Sequence, residues 1–332
     1  MKKTLFSILA LAAFTLPIGA IDNNTVEVVY NGTTATITVA PNISSYVTVQ
    51  SGTSSHVKLV QDASFAGVDK TVDNEDGEII YVLSGTSTDG EFYMEGAFKA
   101  TVELSGLTLT NPGGPALNIQ DGKRISLSAK KGTTSTLTDG ANEAYNGCIH
   151  IKGHTKLKGK GTLNVAGRSK HGIYSKEYLE VKNLTLNITA AEKDGLHCKE
   201  YFLMESGTVS ITGAQDDAIQ VELGGTTSTG TTTNHEDEDS GNFYMTGGTL
   251  TLTGYQGQAI KADGTITYSG GKQNFDTANT KIYADVQSST FHLSPAATAF
   301  YDLQGRKTTE SQAAKGLYIM KAQDGKTIKR MK

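Results

Sequence analysis

The chain has no tryptophan, only two cysteines and only five prolines in 332 residues. Without tryptophan, a sugar site must use tyrosine, histidine or polar contacts instead of the largest aromatic platform. Two cysteines exclude a disulfide-dense scaffold and any cysteine-rich zinc or iron–sulfur centre. Charged residues make up 19%, too few for a disordered acidic or basic chain. The net charge of −4 leaves no basic footprint for nucleic acid, which is excluded as a partner. No Gly-x-Ser-x-Gly, His-Glu-x-x-His or phosphate-loop pattern occurs. The seven histidines show no metal-ligand spacing, which argues against zinc. What the chain does have is 44 threonines and 37 glycines. Threonine suits strands and glycine suits tight corners, so the composition points to an all-β chain.

Residues 1–20 read as a secretory signal. Lys2 and Lys3 form the basic start, Leu5 to Leu16 the apolar stretch, and Gly19-Ala20 the small residues of a cleavage site. The apolar run is too short to span a bilayer, and no other segment suits a transmembrane role. Removing two lysines and no acids takes the charge from −4 to −6. The expected location is extracellular, either secreted or on the cell surface.

A repeat dominates the middle of the chain. Gly147-Cys148-Ile149-His150-Ile151, His171-Gly172-Ile173-Tyr174-Ser175, Asp194-Gly195-Leu196-His197-Cys198, Asp217-Ala218-Ile219-Gln220-Val221 and Gln258-Ala259-Ile260-Lys261-Ala262 align. Their central apolar positions are 149, 173, 196, 219 and 260, so the steps are 24, 23, 23 and 41. The long last step contains an insertion, Gly224 to Gly241; taken out, it leaves 23 again. Leu163-Asn164-Val165, Leu186-Asn187-Ile188, Val209-Ser210-Ile211 and Leu250-Thr251-Leu252 keep the same register. Each unit holds three short stretches of period-two alternation, hence strands. Such a unit cannot bury a core alone, so the units stack as a parallel β-helix with three strands per rung of about 23 residues. The expected layout is N-terminal strands and a cap over 21–74, the β-helix over 75–270, a linker over 271–290 and a small C-terminal β module over 291–332.

Neighbouring rungs lie about 4.8 Å apart, so the alignment places side chains in space. Asn118, His150, Tyr174, His197, Gln220 and Lys261 fall in one outward column. Two positions on, Gln120, Lys152, Lys176, Lys199, Glu222 and Asp263 form a second. The reading is a track for a polysaccharide: His150, Tyr174 and His197 offer rings to sugar faces, and Lys152, Lys176 and Lys199 meet uronate carboxylates. The plainer alternative is a solvated charged face. At the corner before this strand, Asp194 lies over Asp217 with Asp216 beside them. Two ionised carboxylates at that spacing repel by about 3–4 kcal/mol at an effective dielectric near 20. Calcium would relieve this, and oxygen ligands suit it. Glu222, Glu236, Asp237, Glu238 and Asp239 are further candidate ligands. Against a metal, Lys193 stacks over Asp216 and is placed to neutralise it. Cys148 and Cys198 lie two rungs apart in different columns, beyond about 7 Å, with one of them inward, so both are expected to be free thiols.

The run from Gly114-Pro115-Ala116 through Leu137-Thr138-Asp139-Gly140, then His171-Gly172-Ile173, Lys193-Asp194-Gly195 and Asp216-Asp217-Ala218-Ile219, resembles a family of secreted bacterial carbohydrate-binding domains. These are cellulose- and polygalacturonate-binding right-handed parallel β-helices related in shape to family-nine polysaccharide lyases. The resemblance spans roughly 25–270. It implies calcium held by acidic corner residues, here Asp194, Asp216 and Asp217, and polysaccharide held without demonstrated cleavage. His171 stands where a further acidic corner residue is expected. Phe300-Tyr301-Asp302-Leu303-Gln304-Gly305-Arg306 and Lys315-Gly316-Leu317-Tyr318-Ile319 resemble the sorting tails of type-nine secretion substrates, the alternative being a plain solenoid cap. The leading expectation is a monomeric, calcium-assisted, non-catalytic polysaccharide binder. The alternatives are a calcium-dependent lyase acting by β-elimination with Lys199 or Lys176 as base, and a structural spacer or adhesin.

Overall fold

A computed structural model describes residues 21–65, 77–225, 235, 238–276 and 282–284, together with the backbone of four further strands, Ala299–Tyr301, Lys307–Thr308, Leu317–Lys321 and Thr327–Met331. Apart from one 3-10 turn at Pro41–Ile43, all regular structure among the described residues is β. No helix there is long and apolar enough to cross a membrane.

The strands pair in parallel as three stacked faces. Face one includes Leu117–Ile119, Gly147–Ile151, His171–Ser175, Leu196–Lys199, Ile219–Glu222 and Ile260–Ala262. Its register sets Leu117, Ile149, Ile173, Leu196, Ile219 and Ile260 one above another. The pairing Ile219↔Ile260 skips the insertion and keeps the line, as the repeat requires. Face two aligns Leu127, Leu157, Val181, Met204 and Met245. Face three aligns Leu109, Leu137, Val165, Ile188, Ile211 and Leu252. The chain visits the faces in turn, so each visit to one face completes a circuit of the other two.

These three lines converge on one interior. Every residue named in them is fully or almost fully buried and belongs to one hydrophobic cluster. Alternation produces this: in His171–Ser175, Ile173 and Ser175 point in while Tyr174 is half exposed. Ser175 is the polar exception, and it bonds to Thr155 Oγ1 and to the carbonyls of Gly153 and Tyr178. Phe202 and Phe243 stack inside at 4.9 Å between centroids. Corners are tight. At Gly159 the backbone is left-handed (φ 112°), and a Cβ there would stand 2.2 Å from the Ala129 carbonyl oxygen, so no other residue fits. On the outside of face three, Asn187 donates to Asn164 at 2.9 Å, a side-chain rung matching the backbone rung.

Towards the N-terminus the parallel pattern changes. Thr25–Asn31 and Thr34–Val39 form an antiparallel hairpin, and the first of these strands runs parallel beside Ile79–Ser87. The hairpin covers an edge that would otherwise present unpaired backbone. Beyond the solenoid, the four C-terminal strands form a separate antiparallel sheet. Of the expected tail segments, Phe300-Tyr301 and Leu317-Tyr318-Ile319 lie in these strands, while Asp302 to Arg306 and Lys315-Gly316 lie outside the described residues. Cys148 and Cys198 are free, as expected, but both are buried rather than one alone, since Cys148 within the strand Gly147–Ile151 is covered as well.

Leu196 sits in the middle of the face-one line and is completely buried. Leu196→Ala is expected to cost about 2–5 kcal/mol. Lys176→Ala, on the exposed side of the neighbouring strand, should stay within about 0.5 kcal/mol. Urea titrations of both variants check this; equal losses would place the core elsewhere.

Candidate functional site

The outward columns form as the repeat dictates. His150 pairs in register with Asn118 and Tyr174, Tyr174 with His197, His197 with Gln220, and Gln220 with Lys261. The rings do not stand apart, however. His150 and Tyr174 lie 5.2 Å apart between centroids, and Tyr174 and His197 5.3 Å. His171 joins them, 4.4 Å from His197 and 5.8 Å from Tyr174. The column rings tilt against one another by 32–38°, which leaves a sugar less open face than separate rings would. His171 and His197 are buried with Nδ1 on Asp194, so the column offers a ligand chiefly His150 and the Tyr174 hydroxyl. Burial pushes the His150 imidazole down to about 4, so it is neutral at neutral pH.

In the second column Lys152 and Lys176 are exposed, while Lys199 is half-buried with its ammonium 3.8 Å from Glu222. Glu222 also takes a hydrogen bond from Gln220 Nε2 at 2.6 Å and lies 3.4 Å from His197 Nε2. The lysine stripe thus ends on a carboxylate that ties it to the ring column.

The corner holds a ladder that local spacing does not reveal. His171, Asp194, Asp217 and Gln258 occupy the same position on successive rungs. The Asp194 N–H donates to His171 Nδ1 at 3.3 Å, the Asp217 N–H to Asp194 Oδ1 at 3.1 Å, and the Gln258 N–H to Asp217 Oδ1 at 2.7 Å. Each side chain satisfies the backbone of the rung that follows. Asp194 is nearly fully buried, and its other oxygen lies 3.2 Å from His171 Nδ1 and 2.9 Å from His197 Nδ1. Burial works against its charge, but hydrogen bonds and charge from His171 and His197 outweigh that and hold its carboxyl well below the usual range. Asp217 goes the other way: burial, then the charges of Asp194 and Asp216, raise it, with Lys261 3.5 Å away in partial opposition. Burial lowers His171, and the Asp194 carboxylate only partly opposes this.

Two ligand clusters share this corner. Asp194, Asp216 and Asp217 bring carboxylate oxygens within 4.8 Å of one another, and His171, Asp194 and His197 do the same with two ring nitrogens and one oxygen. The all-oxygen set fits calcium in character. Two observations support that fit. The buried Asp217 Oδ2 has no hydrogen-bond partner. Gly257 packs directly against the other oxygens: a Cβ there would lie 2.5 Å from Asp217 Oδ1 and 2.7 Å from Asp216 Oδ1, so only glycine leaves these two carboxylates undisturbed. The expected neutralisation of Asp216 by Lys193 does not occur, since the two share a backbone hydrogen bond but no ion pair. The insertion adds less than expected. Glu238 is buried and hydrogen-bonded by Ser240, Asn242 and Tyr244, with His235 beside it, and Asp239 accepts from the Gly224 N–H. Both turn away from the corner, and Glu236 and Asp237 lie outside the described residues.

Two further features were missed from the sequence. One is a cleft of about 770 Å³ beside the corner, lined by Arg168, Lys170 and Lys193 along with Glu143 and Glu192. The available signal was that Lys170 and Lys193 stand one repeat apart. The other is a second ring stack where faces one and two meet: His154 on Tyr178 at 4.3 Å, Tyr178 on Tyr201 at 4.8 Å, then His235 and Tyr244. His154 lies 3.0 Å from Glu177 and 3.4 Å from Glu200.

Known proteins share parts of this architecture. A family model described as carbohydrate-binding domain-containing protein matches residues 66–328. A solved structure, the polysaccharide lyase-like protein from C. thermocellum in a gadolinium derivative, is similar with a TM-score of 0.54 and 19% identity, covering 78% of this chain and 96% of that one. At that identity the likeness concerns the fold. No curated protein matches the chain.

The second stack makes a pH prediction. Burial opposes charge on His154, but Glu177 and Glu200 prevail and raise it to about 9 from 6.5. Its stabilising contribution is complete below about pH 6.5 and fades as the pH rises through about 9. Wild type should therefore be more stable than His154→Gln at pH 6 and lose that margin by pH 9.5, read from urea midpoints. A margin constant across that range would contradict the ion pair.

Proposed function

The chain belongs to the carbohydrate-binding domain-containing family, and from that premise we propose that it is an extracellular polysaccharide-binding protein for acidic or cellulose-type plant glycans, assisted by calcium. The observation that carries this reading is face one. Its outer side presents His150 and the Tyr174 hydroxyl, with the buried His197 beneath them, beside the ammonium groups of Lys152, Lys176 and Lys199. The row follows the solenoid axis, the direction in which a linear glycan would lie. Hydroxyls meet His150, Tyr174 and Gln220, and uronate carboxylates meet the lysines. The basic groups of the Arg168–Lys170–Lys193 cleft extend the positive surface past the corner.

Asp194, Asp216 and Asp217 would hold the calcium. When bound, the ion supplies positive charge that a glycan carboxylate can share. The rest belongs to the protein: Gly257, having no Cβ, leaves the Asp216 and Asp217 carboxylates in place, and the backbone ladder fixes those of Asp194 and Asp217. Binding is preferred to β-elimination because neither lysine sits in the buried, cation-crowded surroundings that a lysine base needs: Lys199 stands 3.8 Å from Glu222, and Lys176 is exposed.

The same reading includes a right-handed coil with three strands per rung, since parallel crossovers are nearly always right-handed. Its rungs repeat at about 23 residues, the step on which the outward columns rest. It also includes export through residues 1–20, a cap over 21–74, the binding solenoid from 75 onwards, a sorting-type module over 291–332, and a monomeric state. The solenoid runs past the expected boundary at 270, because Lys272–Phe275 and Ile282–Ala284 pair in parallel with Thr249–Leu252 and Ile260–Ala262 in place of the expected linker over 271–290.

Co-sedimentation with insoluble polygalacturonate and with cellulose, with calcium and with chelator, tests the function. Polygalacturonate binding should weaken at least tenfold on chelation and on Asp216→Asn. A Lys176→Ala/Lys199→Ala double variant should weaken it less on cellulose than on polygalacturonate. The supernatant should gain no unsaturated-uronide absorbance. Calcium-dependent absorbance that Lys199→Ala abolishes would make the protein a lyase, and absence of binding to either glycan would leave a spacer.

A further inference from the structure

The corner's second ligand cluster contains no atoms that calcium prefers apart from the shared aspartate. His171 comes from the rung before Asp194 and His197 from the strand that follows Asp194 on its own rung. Both aim Nδ1 at the same Asp194 oxygen, at 3.2 and 2.9 Å. His197 Nδ1 stands at hydrogen-bond distance from Asp194 Oδ2, with the proton's place set by the ring tautomer. His171 Nδ1 faces two groups at once, the Asp194 N–H at 3.3 Å and Asp194 Oδ2 at 3.2 Å. One ring nitrogen cannot accept from the first and donate to the second, whereas a cation held by both nitrogens and the carboxylate satisfies all three donor atoms.

A second, separate observation concerns His197. Its far nitrogen, Nε2, lies 3.4 Å from Glu222 Oε2. A histidine that binds metal through one ring nitrogen characteristically gives its other N–H to a carboxylate, which fixes the tautomer and strengthens the ligand. With Nε2–H on Glu222, His197 Nδ1 is free to coordinate.

We propose that His171 Nδ1, His197 Nδ1 and the Asp194 carboxylate form a binding site for a first-row transition-metal dication of the zinc class, separate in chemistry from the all-oxygen calcium corner although Asp194 belongs to both. The spacing agrees. Ligands of a tetrahedral zinc bonded at about 2.0–2.1 Å stand about 3.3–3.4 Å apart. The two measured separations are 3.2 and 2.9 Å, and all three donor atoms lie within 4.8 Å of one another. Two imidazoles and one carboxylate favour zinc, cobalt or nickel over calcium or magnesium. Both histidines keep 7% of their surface exposed, on the outer side of face one, so an ion can enter from solvent, and a fourth position remains for water or a ligand oxygen. On loading, the His197 proton resides on Nε2 towards Glu222, and no proton need be lost from the pair. The site does not depend on the polysaccharide reading.

The test is a cobalt titration of the tag-free full chain, stripped with chelator and then held in excess calcium. One equivalent of Co²⁺ should give the intense visible bands of low-coordinate cobalt, and Zn²⁺ should bleach them. His197→Asn should weaken Co²⁺ binding at least tenfold, and Glu222→Gln about 10–100-fold. Asp216→Asn, which lies only in the calcium set, should leave cobalt unchanged. Melting curves of the stripped variants identify any that fail to fold, and the wild-type spectrum stands whatever the variants do. Weak octahedral-type bands, no saturation near one equivalent, or undiminished binding in folded His197→Asn would overturn the proposal. Calcium-dependent glycan binding without cobalt bands defeats this inference alone, and cobalt bands without glycan binding defeat only the proposed function.

Discussion

Parallel pairing in register is the constraint from which the rest of this molecule follows. It sets each side chain over its counterpart one circuit away, about 4.8 Å off. Inside, that demands columns of residues content to touch their own kind. Leu117, Ile149, Ile173, Leu196, Ile219 and Ile260 meet the demand with matched apolar side chains. Outside, the same rule stacks like on like where like is awkward: rings on rings, lysine on lysine, carboxylate on carboxylate.

How each awkward column is resolved decides what it can do. Rings resolve it by tilting against one another in the His150–Tyr174–His197 column and by stacking in the His154–Tyr178–Tyr201 set. The stacked set consumes its apolar faces, and the tilted column keeps less open face than separate rings would. Lysines resolve it by splaying into solvent, except where Lys199 meets Glu222. The carboxylates have the hardest case because they are buried. Asp194 and Asp217 each take a backbone N–H from the following rung, and Asp194 also takes His197. That leaves Asp217 Oδ2 with only the Lys261 ammonium at 3.5 Å and Asp194 Oδ2 facing a second nitrogen. The two loose ends lie in one corner, and both are relieved by positive charge.

The corner is thus structural and receptive at once. The ladder through His171, Asp194, Asp217 and Gln258 satisfies backbone groups that would otherwise be buried without partners. Rigidity obtained this way preorganises the ligand atoms, which is what a cation or a glycan carboxylate needs from a site. The insertion between Gly224 and Gly241 leaves this arrangement alone: its described acids, Glu238 and Asp239, turn to Tyr244 and the Gly224 backbone. It interrupts the sequence period without disturbing the register on either side, as the Ile219↔Ile260 pairing shows.

Much of this was fixed before any fold was considered. A constant period carrying three alternating stretches determined strands, parallel stacking, the interior lines and the membership of each outward column, because period and alternation are one-dimensional facts that a solenoid converts directly into neighbours. Asp194, Asp216 and Asp217 could be grouped on that basis alone. Only the tertiary structure decided how the grouped side chains meet: that the rings tilt against one another, that Lys193 leaves Asp216 while Lys261 reaches Asp217, that His171 and His197 converge on one oxygen, and that Glu238 is spent elsewhere. Those outcomes depend on rotamers and on corner geometry at the ångström scale, and a repeat specifies which residues are adjacent without specifying which way they turn.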